Sequence, residues 1–343
     1  MTFEKPKRDS VINVHVRVEF ARVGEIDTMN EKYQAEINVE AKWASQDNFT
    51  TYDPKVNWNP KLYIENAIQE PKDAARYTVS SEAGATVITE VRNIKGAFWE
   101  KLELQNFPFD VQELSVTVAS RLSCEDVKLI PLESNGKIGF RATRTFVDQQ
   151  KWRLFKMVKI SNEPSYFKTK HEIIKINPLE PEEEEPPEYP KIVASCFCSR
   201  KAGYYLFNAF FLIFLITLTT FTSFAIDSKL PQNRIPATCT FLLTSVSFKW
   251  VINRSLPTVS YLTSLDLYSI LCIFFICLLA TWHAIVGSNW TKDEAKEIDK
   301  WAVISFGILF VLLNVYFLIR LLISYIPIFK LSKEEHEYIK KNK

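Results

Sequence analysis

Three hydroxyl side chains lie at helical spacing in a segment that is long enough to cross a membrane. Thr240, Thr244 and Ser247 fall at i, i+4 and i+7 within residues 235–254, so a helix presents them as one stripe. Such a stripe is not stable against hydrocarbon, because unsatisfied polar groups are costly there. The stripe therefore faces water or a polar partner, and the chemistry that it predicts is an aqueous path for ions.

Three further segments are long enough as helices to cross a hydrocarbon layer of about 30 Å. These apolar runs occupy residues 204–226, 265–287 and 301–326. Together with 235–254 they predict an α-helical four-span transmembrane domain over residues 204–326. The polar stretch 288–300 is then a short loop between the last two spans, and 327–343 is a C-terminal tail.

The polar half of the chain, residues 1–203, alternates apolar and polar side chains with period two. Val14, Val16 and Val18 point to one face of a predicted strand, while the polar residues between them point to the other. Strands of this kind are typical of antiparallel sandwiches. We therefore predict an all-β, immunoglobulin-like sandwich of about ten strands. No flexible linker separates it from the first apolar run.

Composition argues against several classes of protein. The net charge of +2 indicates no nucleic-acid partner, and eight Gly form no phosphate-binding loop. Four His and six Cys show no zinc-ligand spacing. We predict no cofactor, no metal ion and no catalytic residues.

The N-terminal residues and one sequon bear on processing of the chain. The chain begins with a polar stretch and has no apolar h-region, so we expect that a signal peptide has been removed or replaced. Asn48 opens an Asn-Phe-Thr sequon, which makes it a candidate glycosylation site and fits a secretory protein.

Five short motifs occur in order along nearly the whole chain. They are FPFDxQ at 107–112, WxP with a following NA at 58–67, RxxxYYxxN at 200–208, LP with a Tyr at 256–261, and NxY at 314–316. In this order, and with four spans, they resemble the pentameric ligand-gated ion channels, also called Cys-loop receptors. The resemblance implies a pentamer around a central pore, with the sandwich extracellular and the short loop 288–300 cytoplasmic.

The resemblance assigns coupling between the two domains to the FPFD loop and its partners. Asp110 and Arg200 are expected to form a buried pair at the junction. The coupling residues that it implies are Phe107, Pro108, Phe109, Asp110, Arg200 and Pro257. Where the family has two cysteines, this chain has Glu100 and Leu114, so the family's disulfide cannot form. We expect packing and hydrogen bonds to hold the loop instead.

The resemblance also implies which residues face the pore. They are Arg234, at the cytoplasmic mouth, and Thr240, Leu243, Thr244, Ser247, Trp250 and Arg254. A ring of Leu243 side chains would gate the pore by dewetting, unless Leu243 packs between helices instead. No acidic residue occurs between Asp227 and Asp266, whereas four basic residues do, which favours anions. Cation selectivity remains the alternative, because the Pro-Ala pair typical of anion-selective members is missing.

The aromatic cage that binds amines in animal members of the family is largely absent. Asn38 stands where a Trp is common, and Arg121 would contact either a ligand carboxylate or only water. Tyr189 remains beside the Glu-rich hairpin 178–190, in which Glu182 and Glu185 are candidate ligands for Ca²⁺ or a polyamine, or sites of protonation. The other interpretation of that hairpin is a solvated loop tip.

The most direct interpretation is a homopentameric channel subunit of the plasma membrane, surrounded by lipid and opened by an unknown extracellular small ligand, Ca²⁺ or protons. The resemblance places both termini outside, although the basic tail taken alone favours the cytoplasm. A non-conducting receptor on the same fold is the alternative, and the hydroxyl stripe argues against it. A membrane-bound enzyme lacks a nucleophile–base pair.

Overall fold

The structure is a computed structural model that describes residues 11–45, 47, 50–82, 84–132, 146–161, 189–254, 259–290 and 292–341. Four residues named above lie outside this part of the chain: Asn48, Glu182, Glu185 and Pro257.

Within the described residues, nine strands form the N-terminal domain. They are β1 (Ile12–Asp27), β2 (Lys32–Ser45), β3 (Leu62–Ile64), β4 (Lys72–Glu82), β5 (Ala85–Trp99), β6 (Val111–Ser120), β7 (Val127–Pro131), β8 (Trp152–Ser161) and β9 (Lys191–Arg200). One sheet has the order β4-β5-β2-β1-β7 and the other the order β3-β6-β9-β8. The pairs are antiparallel except for β1 with β7. The predicted all-β sandwich is confirmed.

The core of the sandwich follows directly from the alternation in the sequence. Val14, Val16 and Val18 of β1 are fully buried, as is Val116 of β6 in the facing sheet. Burying each such side chain contributes about 1.5–3 kcal/mol relative to leaving it exposed. Tyr33 of β2 crosses the sandwich and donates its hydroxyl hydrogen bond to the Ser115 carbonyl. The two sheets therefore share one core and are linked by a hydrogen bond across it.

In the part of the chain that the structure describes, four helices follow that are long and apolar enough to cross a membrane: α1 (Gly203–Ala225), α2 (Pro231–Asn253), α3 (Ser264–Asn289) and α4 (Lys292–Lys341). α1 contains a π-helical turn at Leu206–Phe211 and ends in a 3₁₀ turn at Thr220–Ala225. Pro231 opens α2, where its missing N–H costs nothing. A capping box of Thr263 and Asp266 opens α3. The chain is a multi-pass membrane protein.

The ends of the helices differ from the predicted segments. α2 begins four residues before the predicted 235, and α3 ends at Asn289 while α4 begins at Lys292. The predicted loop 288–300 is therefore mostly helix. α4 is a single helix of 50 residues, so the predicted tail 327–343 is helical as far as Lys341. The change from apolar to charged residues along the sequence indicates where a helix leaves the bilayer, but it does not indicate where the helix ends.

Candidate pore and domain junction

A buried ion pair lies at the end of the sandwich from which the first helix begins. Asp110 immediately precedes β6, and Arg200 ends β9, which pairs with β6. The Arg200 Nε lies 2.8 Å from Asp110 Oδ1, and its Nη2 lies 3.1 Å from Oδ2, so the contact is bidentate. Asp110 is 2% exposed and Arg200 8%. The pair that the sequence predicted is brought together.

Aromatic rings and one amide complete the surroundings of this pair. The Arg200 guanidinium lies 4.2 Å from the ring centroid of Trp152 and 5.0 Å from that of Phe107. Gln112 donates to Asp110 Oδ2 at 2.7 Å. Both charges are therefore held by several partners, and the removal of either one would leave the other buried and uncompensated, which costs about 3–5 kcal/mol.

The FPFD loop contacts three of the four helices. Phe107 packs on Tyr205 of α1 with ring centroids 4.5 Å apart, and Pro108 is buried. Ser264 of α3 donates to the Gln105 carbonyl at 3.3 Å. Phe109 packs edge-on against Tyr325 of α4 at 5.9 Å.

Other contacts tie the same loop to the segment that joins α2 to α3. The Leu104 N–H donates to the Tyr261 hydroxyl at 2.8 Å. The loop therefore contacts the chain between α2 and α3 through Tyr261. The predicted coupling residues that the structure describes all lie at this junction.

The base of the FPFD loop is closed by a carboxylate. Glu100 Oε2 accepts hydrogen bonds from the Ser115 N–H, at 2.7 Å, and from the Ser115 hydroxyl. Leu114, the second position of the family's disulfide, is fully buried in the core. The loop thus has the hydrogen-bonded closure that the sequence predicted.

One face of α2 is exposed in the subunit and carries most of the predicted pore residues. Leu243 is 67% exposed and Trp250 69%. Further members of this exposed face are Thr240, Thr244, Ser247 and Arg254. Thr240 and Thr244 donate to the carbonyls four residues earlier, at 2.9 and 2.8 Å, so their oxygen lone pairs remain available outside.

Arg234 differs from its predicted position at the pore mouth. Its side chain is 1% exposed and lies inside the bundle, where Nη2 is 2.7 Å from Asp299 Oδ2. The physical reason is helical geometry: at 3.6 residues per turn, Arg234 lies about 120° from Thr240 around α2. It shares instead the face of Thr238, Ser245 and Ile252, which are all buried.

Of the candidate ligand residues that the structure describes, Arg121 and Tyr189 lie near one cavity, whereas Asn38 does not. The Arg121 guanidinium lies 5.6 Å from the ring centroid of Tyr63, beside a cavity of about 500 Å³ whose lining includes Lys61. The Ser120 N–H donates to the Pro190 carbonyl at 3.2 Å, which places the exposed Tyr189 near Arg121.

No sequence pattern singled out Lys61 or Tyr63 as candidate ligand residues. Lys61 directly follows the WxP motif, and Tyr63 lies two residues after Lys61. Burial raises the pKa of the Tyr63 hydroxyl. Asn38 is not part of the cavity lining, because it lies in the middle of β2 and accepts a hydrogen bond from Asn93 at 2.9 Å.

The last turns of α4 leave the bundle and pack on the sandwich. Ile328 packs against Phe155 and Met157 of β8. Glu335 accepts hydrogen bonds from the Lys156 N–H at 2.7 Å and from Arg153 Nη2 at 2.9 Å. Nothing in the periodicity of residues 327–343 indicated this contact, which joins residues about 180 positions apart. Within the described residues, no cluster of three or more His, Cys, Asp or Glu is placed to hold a metal ion.

These features define a class of multi-pass membrane protein: a two-sheet domain contacts four candidate spans through its FPFD loop, and α2 exposes Thr240, Thr244 and Ser247 along one face. Comparison with known proteins agrees. The chain is 24% identical over 200 residues to a gamma-aminobutyric acid receptor subunit beta of Lymnaea stagnalis, covering 58% of this chain and 36% of the relative. Its homologues belong to the pentameric ligand-gated ion channel, or Cys-loop receptor, superfamily, and this chain has Glu100 and Leu114 where that family has its disulfide cysteines.

Two relatives from Drosophila melanogaster extend the comparison. A pH-sensitive chloride channel 2 is 22% identical over 251 residues, 72% of this chain and 45% of the relative. A gamma-aminobutyric acid receptor subunit beta-like protein is 27% identical over 113 residues, 33% of this chain and 23% of the relative. The chain thus spans less than half the length of these relatives. No protein-family model matches the chain.

Proposed function

We propose that the chain is a subunit of a homopentameric ligand-gated ion channel of the plasma membrane. An extracellular ligand binds the sandwich, the FPFD loop transmits the change to the segment between α2 and α3, and an ion path lined by α2 opens. The names of the relatives, which are receptor subunits and a chloride channel, support this function.

The exposed face of α2 is the observation that carries the proposal. α4 is also largely exposed, but between Trp301 and Ile326 most of its exposed side chains are apolar, such as Ile308, Leu312 and Leu322, and suit lipid. α2 exposes Thr240, Thr244 and Ser247 instead. A membrane-spanning helix that exposes these hydroxyls needs water on that face. Several subunits arranged around an axis would enclose such a water-filled path between their α2 helices.

Charge along α2 favours anions. The helix contains no acidic residue. Lys249 pairs with Asp266 at 3.7 Å and Arg234 pairs with Asp299, whereas Arg254 is exposed at the end near the sandwich. A ring of Arg254 would attract anions to that mouth.

The cavity beside Arg121 is the proposed ligand site. Arg121 and Lys61 offer positive charge and Tyr63 offers a ring and a hydroxyl, which suits a small ligand with a carboxylate. Both termini are proposed to be extracellular, because the end of α4 returns to the sandwich. Protons and Ca²⁺ remain candidate stimuli.

Expression of the chain alone, with current recording under small carboxylates, acidic pH and Ca²⁺, tests this function. We expect currents whose reversal potential follows the chloride gradient. In a Cys239→Ala background, a charged thiol reagent should block Ser247→Cys and leave the lipid-facing control Leu312→Cys unaffected. Normal surface expression without current under every stimulus would instead support the non-conducting receptor.

A further inference from the structure

A buried charge network ties all four helices together at the end of the bundle away from the sandwich. Its centre is Arg234 of α2, and its acid is Asp299, in the second turn of α4. The Asp299 carboxylate also accepts a hydrogen bond from Trp282 Nε1 of α3 at 3.3 Å. We propose that Asp299, although it lies on the outermost helix, is a determinant of ion selectivity because it holds Arg234 away from the ion path. This inference rests on the proposed channel function.

The end of α1 supplies backbone acceptors for the same guanidinium. Arg234 Nε donates to the Ile226 carbonyl at 2.8 Å, and Nη2 donates to that carbonyl as well and to Phe224 at 3.2 Å. These carbonyls lie where α1 has ended in its 3₁₀ turn, so they have no partner further along the helix. The guanidinium of Arg234 is therefore held inside the bundle by backbone hydrogen bonds as well as by its ion pair with Asp299.

His283 of α3 completes the network. Arg234 Nη1 lies 3.4 Å from His283 Nδ1, and a guanidinium only donates, so Nδ1 is the acceptor. His283 Nε2 then carries the proton and donates to the Ser223 hydroxyl at 2.7 Å. Ser223 in turn donates to the Thr220 carbonyl at 2.6 Å. Each polar group in this chain of contacts has a defined direction.

This arrangement has a consequence for the field at the pore mouth. Arg234 and Asp299 form a close pair whose charges largely cancel at a distance, and assembly of further subunits can only add to their burial. Movement of Arg234 into the pore would leave Asp299 buried and unpaired, which is costly. Among the basic residues of α2 and the residue that follows it, the structure exposes Arg254 and buries Arg234. Neutralisation of Asp299 would therefore uncover positive charge at the mouth away from the sandwich.

Reversal potentials under a sodium chloride gradient test the role of Asp299. Asp299→Asn is expected to shift the reversal potential towards the chloride equilibrium potential. Asp293→Asn is the matched control, because it removes the same charge from the exposed first turn of the same helix. An Asp299→Asn channel with the wild-type reversal potential, or one shifted no more than the control, would overturn the inference while leaving the channel function intact.

A double variant removes the pair without leaving a buried charge. Arg234→Gln with Asp299→Asn is expected to keep the wild-type reversal potential, because the pair was already neutral. If Arg234 lines the pore, this variant loses anion preference instead, and the inference fails. A wild-type chain that carries no current would overturn both the proposed function and the role of Asp299.

Thiol labelling of purified protein tests the position of residue 234 independently of current. In a Cys239→Ala background, Arg234→Cys with Asp299→Asn is compared with Thr240→Cys after brief treatment with a charged thiol reagent. Mass spectrometry is expected to find residue 240 labelled and residue 234 protected. Equal labelling of the two positions would place residue 234 in the water-filled path and overturn the inference.

Discussion

Glu100 and Ser115 close the base of the FPFD loop through a single carboxylate oxygen, which accepts from both the N–H and the hydroxyl of Ser115. Ser115 follows Leu114, so the contact lies beside the position of the family's missing disulfide. Hydrogen bonds to a charged group contribute about 1.5–3 kcal/mol each to stability. They are weaker than a covalent disulfide bond, but they are strong enough to hold the two ends of the loop together. The closure of the loop is thereby made sensitive to protonation, which a disulfide is not.

Removal of the Glu100 carboxylate should loosen the loop. We expect Glu100→Ala to lower the free energy of unfolding by about 2–3 kcal/mol, because two donors of Ser115 lose their acceptor. Thermal or denaturant unfolding of the detergent-purified protein measures this effect. Glu103→Ala is the control, since that side chain is exposed on the same loop. Equal effects of the two variants would refute the closure.

The same residue makes stability depend on pH. Burial raises the pKa of the Glu100 carboxyl, while the Ser115 hydrogen bonds lower it by less. The folded protein therefore binds this proton more readily than the unfolded chain does. This contribution to stability is fully present below the ordinary carboxyl pKa and is lost as the pH rises through the raised pKa. Glu100→Gln should flatten unfolding free energy against pH in that window, and an unchanged slope would contradict the assignment.

Local pattern and tertiary contact contributed differently to what the sequence could predict. Alternation along β1 placed Val14 and Val16 in the core, because period two alone decides which face of a strand is buried. Helical spacing likewise defined the exposed stripe of α2. The same spacing, counted back from Thr240, places Arg234 about 120° away from the stripe, whereas the resemblance to the family implied that it faces the pore. No local sequence pattern predicted the contact of Glu335 with β8, because that contact depends on the direction in which the long helix α4 leaves the bundle.

Arg200 is expected to be indispensable at the junction. Arg200→Gln leaves Asp110 buried without its cation, at a cost of about 3–5 kcal/mol. The variant should therefore fail to assemble or to gate, as measured by surface labelling, native size and agonist current. Lys201→Gln changes the neighbouring exposed residue and should behave as wild type. Full-sized agonist currents from Arg200→Gln would be incompatible with the coupling role.

Leu243 is expected to set the resting barrier of the pore. A hydroxyl in place of the isobutyl group favours water in the narrow region, so Leu243→Thr should raise resting current or lower the stimulus needed for opening. Leu312→Thr makes the same change on the exposed face of α4 and should leave gating unchanged. Unaltered resting current and sensitivity in Leu243→Thr, at normal surface expression, would show that Leu243 packs between helices.

Glu335 should anchor the end of α4 to the sandwich, whereas its neighbour should not. The Glu335 side chain is 11% exposed and binds both a backbone N–H and Arg153, while Glu334 is 51% exposed and pairs with an exposed Lys159. Loss of a buried charge-assisted contact costs about 1.5–3 kcal/mol, and loss of an exposed pair costs about 0–1 kcal/mol. Glu335→Ala should therefore speed amide hydrogen exchange in β8, and Glu334→Ala should not. Equal exchange in both variants would mean that the apolar contact of Ile328 alone holds the helix end, since that contact is untouched by either change.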